Sequence, residues 1–154
     1  MGSVCFILLF VVSLVEVITG YYLMLYTIFD RKKMNRCYKG ILVVSSLFIS
    51  VLLTANRRLW FFSRTMFLVE VILFCLVIFV IRKKGYLFIF SYVWLYYGVL
   101  TLLDFIIAFF SMTLLGEKFL PRVFLNAVSL EQIVIFALSR IILIGLVILI
   151  IKYK

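Results

Sequence analysis

Long apolar runs separated by short basic clusters constrain this chain more than any other feature. A helix rises 1.5 Å per residue, so about 20 apolar residues are needed to cross a hydrocarbon core of roughly 30 Å. By that ruler the 154-residue sequence contains five candidate crossings. Val4 to Phe29 is interrupted only by Glu16. It has no basic n-region and no small-residue cleavage site, so it reads as an anchor rather than a signal peptide. Gly40 to Ala55, at 16 residues, gives only about 24 Å of helix. It spans fully only with local thinning or extension into Arg57 and Arg58. Leu59 to Ile81 surrounds Glu70, and Tyr86 to Leu115 surrounds Asp104. A fifth helix opens at Ser129, which stands three residues before Gln132 in a capping-box spacing, and continues past Arg140 to Tyr153.

Fold class follows directly: an all-α, polytopic transmembrane bundle of about five spanning helices, forming one domain over residues 1–154. Gly116 to Val128, with the only proline at Pro121, reads as a loop. No internal repeat or low-complexity linker divides the chain. Composition agrees, since 68% of residues are hydrophobic against roughly 45–50% in soluble domains.

The sixteen Lys and Arg outnumber the six Asp and Glu, yet no aromatic-interleaved basic surface of the kind that binds nucleic acid is present. That excess points instead to membrane topology and anionic lipids. Arg31, Lys32, Lys33, Arg36 and Lys39 form one cluster, a topology determinant suited to lipid head groups. With Arg82 to Lys84 and the tail lysines Lys152 and Lys154 they make ten basic residues on one side, against Arg57, Arg58, Arg64, Lys118 and Arg122 on the other. The positive-inside rule then places the amino terminus outside the cell membrane and the carboxyl terminus in the cytoplasm. Trp60, Phe61 and Phe62 read as an interfacial belt, whereas the cluster Tyr92, Trp94, Tyr96 and Tyr97 begins too deep to be belt alone, Tyr96 lying about 15 Å beyond Tyr86, and its rings are expected to face other helices.

Ionisable groups at mid-bilayer cost at least ~2.5–3.5 kcal/mol on insertion scales, so each requires a partner, a wet cavity or a function. Glu16, Glu70, Asp104 and Arg140 fall at similar depths of roughly 15–18 Å at helical rise. Arg140 is the expected shared partner, because its planar fork can hold two carboxylates. Three acids and one base would sum to about −2, so at least one carboxyl is expected to keep its proton or to face water. Ser46, Ser50 and Thr54 recur every four residues on one helix face, where they either line a site or allow close packing. Cys75 reads as a small buried hydrophobe. The three cysteines have unrelated spacings and histidine is absent, which supports neither a disulfide framework nor a metal site. No catalytic signature occurs, so neither a cofactor nor catalysis by this chain is expected.

From Arg57 onward the order of features is a basic turn, the span ending "IFVIRKKGYLFIFSY", then "WLYYGVLTLLDFIIAFF", then "FALSRIILIGLVILIIKYK". This order resembles the multi-pass sensor domain at the amino terminus of quorum-sensing histidine kinases of Gram-positive bacteria, the accessory-gene-regulator receptor class. The resemblance covers roughly Arg57 to Lys154 and rests on hydropathy pattern, one aspartate and a Ser-Arg pair. It implies a domain that binds an extracellular peptide and drives a two-component kinase, either as a separate piece of such a receptor or as a stand-alone relative. A homo-oligomer or a larger membrane complex is the expected assembly. Two alternatives remain open: a small transporter or channel subunit that passes protons or cations along Glu16, Glu70 and Asp104, or a structural subunit of a membrane complex.

Overall fold

The computed structural model describes residues 2–28, 36–58, 64–82, 85–115 and 130–153. They form five helices: α1 (Gly2–Tyr22), α2 (Arg36–Arg58), α3 (Arg64–Arg82), α4 (Tyr86–Leu115) and α5 (Leu130–Tyr153). α1 continues as a π-helical segment, Leu23–Ile28. Four of them, α1, α2, α4 and α5, are long and apolar enough to cross a membrane. Arg31, Lys32, Lys33, the Trp60 to Phe62 belt, the Gly116 to Val128 loop and the Ser129 cap lie outside the described residues.

Helix order in space follows helix order in sequence. α1 packs on α2, α2 on α3, α3 on α4 and α4 on α5, and α5 returns to pack on α1, closing a five-membered ring. Large apolar side chains such as Val44, Leu87, Phe105 and Leu114 point outward, while Ser13, Glu16, Ser50, Thr54, Asn56, Glu70, Ser139 and Arg140 are buried. An exterior of this kind would aggregate in water but is at home against acyl chains, and within each helix the interior amides are paired along the helix itself, as lipid requires.

The second helix is longer than the sequence pattern implies. It runs 23 residues, about 34 Å, instead of the 16 from Gly40 to Ala55. Arg36 and Lys39 occupy its exposed first turn, and at the other end Asn56 is buried and Arg57 finds acceptors inside the ring. Polar residues that an apolar count treats as flanks are therefore helical. The tight α3–α4 connection ends at Gly85, whose carbonyl accepts from the amides of Phe88 and Ile89 and opens α4.

Aromatic rings fill the middle of the ring. Phe74 of α3 stacks on Tyr21 of α1 at 4.2 Å between centroids and meets Tyr96 and Tyr97 of α4 at 6.4 and 6.1 Å. Gly20 makes room for this cluster, since a Cβ there would lie 2.9 Å from Phe74 Cζ and from Tyr96 Cε1. Cys75 and Ile78 are fully buried beside it. At the far end of α3, Arg82 Nη2 donates to the Leu25 carbonyl of the π segment at 2.7 Å, tying α3 to α1.

Candidate functional site

Four helices contribute to one polar network within the apolar ring. Glu16 lies fourteen residues into α1, Arg140 ten residues into α5 and Asp104 eleven residues before the end of α4. Arg57 is the penultimate residue of α2. α2 thus ends within a side-chain length of the network, while the other three helices continue for about 15–21 Å beyond it.

Arg140 is the hub. Its Nη2 donates to Glu16 Oε2 at 2.6 Å and its Nε to the same oxygen at 3.1 Å, while Nη1 pairs with Asp104 Oδ1. From the opposite side Arg57 Nη2 donates to Glu16 Oε2 at 2.6 Å, and its Nη1 donates to Ser13 at 2.8 Å. The Ser139 hydroxyl donates to Asp104, and the Tyr96 hydroxyl donates to the Glu16 carbonyl at 2.6 Å. Both guanidiniums also lie over the ring of Phe136, at 4.8 Å for Arg57 and 5.3 Å for Arg140. Glu16 and Arg140 are 1% and 2% exposed, so these contacts form away from solvent. There a charged pair is strong only if every lone pair and proton finds a partner.

The pairing corrects the charge balance inferred from sequence. Arg140 does hold two carboxylates, but they are those of Glu16 and Asp104. Glu70 is not among its partners: α3 packs mainly on α2 and α4, whereas α5 packs mainly on α4 and α1. Arg57, counted in the sequence as a flanking topology charge, is instead a partly buried member of the site with a side chain only 9% exposed. Two acids and two arginines balance, which leaves Glu70 rather than an excess of two charges. A sequence signal for Arg57 exists: it falls three residues after Thr54 and seven after Ser50, on the face already marked by the hydroxyl stripe. Ser13 and Phe136 carry weaker signals, being one helical turn from Glu16 and Arg140 respectively.

No protein-family model matches the chain, and no curated protein or solved structure matches it.

Other candidates take different places. Ser46, Ser50 and Thr54 are buried and their hydroxyls donate to the carbonyls four residues back, at 2.6, 2.6 and 2.7 Å. With donors spent on their own helix, they serve close packing. Tyr96 and Tyr97 face the ring interior, whereas Trp94, two residues earlier and so about 200° round the helix from Tyr96, is exposed rather than buried among other helices. Glu70 is fully buried, yet neither of its oxygens, nor the Tyr97 hydroxyl, has a hydrogen-bond partner among the described residues. Nor do the described residues include a group of three His, Cys, Asp or Glu able to hold a metal.

Proposed function

We propose that the ring is a non-catalytic signal-sensing membrane domain that binds a peptide or hydrophobic ligand from outside and relays it through α5. The observation that carries this reading is Arg140. Among the described residues it is the point at which the last helix is keyed by charge to α1 and α4, and α5 continues thirteen residues beyond it to Tyr153. A helix fixed by a few directional pairs in an otherwise apolar interface has discrete arrangements rather than a continuum. A ligand that favours one arrangement shifts the population of the other. The amino-terminus-out orientation, the homo-oligomeric state and contact of Arg36 and Lys39 with anionic head groups belong to the same proposal.

The test is a fusion of a histidine kinase of the resembling class after Lys154. Output should depend on the number of residues inserted at the junction, since each turns the rod by about 100°. Indifference to that phase, with and without candidate peptides, would remove the sensing role. The transporter reading has one observation in its favour, the unpartnered Glu70, whereas Glu16 and Asp104 are engaged by arginines.

A further inference from the structure

Donors are unevenly shared among the carboxyls of Glu16, Glu70 and Asp104. Glu16 Oε2 alone accepts three N–H groups, Nη2 of Arg57 together with Nε and Nη2 of Arg140. Glu70, although fully buried, accepts from no arginine or lysine among the described residues. Arg57 stands on α2, the helix that packs against both α1, which carries Glu16, and α3, which carries Glu70. Glu70 lies within electrostatic reach of the Arg57 guanidinium, with Asn56 of the same helix beside it and Glu16 facing it from α1. From α4 the Tyr97 ring packs edge-on against Phe67 and Phe74, one turn to either side of Glu70, at 5.4 and 6.1 Å.

Moving Arg57 from one acid to the other conserves the number of ion pairs. Arg140 would still hold Glu16 through two N–H groups and Asp104 through a third. The move gives up the bond to Ser13 at 2.8 Å and the stacking on Phe136. It provides a cation for a buried carboxyl that is paired with none among the described residues, a group costly to leave uncompensated in low dielectric.

The geometry points to Arg57 as a two-position cross-link that exchanges a tie from α2 to Glu16 on α1 for a tie to Glu70 on α3, while Arg140 keeps α5 bound to α1 and α4. Its role in signalling rests on the sensing reading, for which it supplies the two states a ligand would bias. The toggle itself does not depend on that reading.

The test is a double-mutant cycle between Arg57→Gln and Glu70→Gln in the full chain in detergent micelles, read by reversible unfolding. It is run in the wild-type background and with Glu16→Gln or Glu16→Asp. In the wild-type background the two substitutions should be additive to within about twofold in the unfolding constant. With Glu16 removed or withdrawn they should show coupling of about tenfold. Additivity in every background overturns the proposal. Equal coupling in every background also overturns it, since Arg57 would then be held by Glu70 whatever Glu16 does. Where Glu16→Gln does not fold, Glu16→Asp carries the test, because it keeps the charge and withdraws it by one methylene. In the kinase fusion, an unchanged output in Glu70→Gln alongside conditional coupling would remove the signalling role and leave the toggle. A responsive fusion without coupling would overturn the toggle and leave sensing.

Discussion

Arg140 Nη2 lies 2.6 Å from Glu16 Oε2, although the two residues are 124 positions apart in sequence. This contact joins the first helix to the last and closes the ring on its polar side. Apolar surface alone cannot specify such closure in a membrane, because lipid tails solvate leucine as well as another helix does.

Removing the hub should therefore be costly. Arg140→Leu leaves Asp104 unpaired and Glu16 held by Arg57 alone, and stranding one partner of a buried pair costs about 3–5 kcal/mol. Unfolding in detergent should reveal that loss. Adding Asp104→Asn to Arg140→Leu should recover part of it, whereas strict additivity would show that the two side chains are not coupled.

Gly20 is expected to tolerate no larger side chain. The Cβ of Gly20→Ala would press on the rigid rings of Phe74 and Tyr96, at 2.9 Å each, and overpacking of this kind costs about 1–3 kcal/mol. Gly98→Ala is the control, since a Cβ there meets nothing within 4 Å. Removing a glycine from a helix interior gains up to about 1 kcal/mol. Opposite signs in the two melting temperatures are the expected result.

Phe136 offers its ring to two cations at once. Phe136→Leu keeps the apolar volume and removes the π face, with an expected loss of about 0.5–2 kcal/mol. In the Arg57→Gln, Arg140→Leu double variant the same substitution should cost far less, a comparison that separates cation–π attraction from packing.

Orientation can be read with single cysteines in a Cys-free background. Arg36→Cys and Lys39→Cys, both on the exposed first turn of α2, should react with an impermeant maleimide only after cells are opened. Labelling of either position in intact cells would reverse the proposed topology.

Several of these residues were legible from sequence, and the reasons are specific. α4 begins and ends where its apolar run does, because the basic turn and Gly85 mark its start. Arg140 stood out as a base that could hold two acids. Depth along a helix fixes a residue's layer but not which neighbour it faces, so the same depth groups Glu70 with Arg140, although the two stand on helices that are not neighbours in the order of the ring. Arg57 was hidden by the opposite error, since a count of apolar residues ends a span at the first charge. Its place on the Ser46, Ser50 and Thr54 face carried the information that the count discarded. The π segment Leu23–Ile28 has no such marker in an unbroken apolar run.

The arrangement of the acids also gives the transport alternative a direct test. A pathway for protons or cations needs carboxyls free to exchange their charge, and two of the three expected for such a path are committed to arginines: Glu16 to Arg57 and Arg140, Asp104 to Arg140. Glu70 is the one of these three acids left without an arginine, and Phe67 and Phe74 bracket it one helical turn to either side. Proteoliposomes containing the wild-type chain should accordingly show no proton or sodium flux above empty vesicles under an imposed gradient, and Asp104→Asn should leave that baseline unchanged. Flux that is present in the wild type and disappears in Asp104→Asn would show that the Arg140 pair opens during turnover. The acids would then be a conduction path, and the transporter reading would replace the sensor.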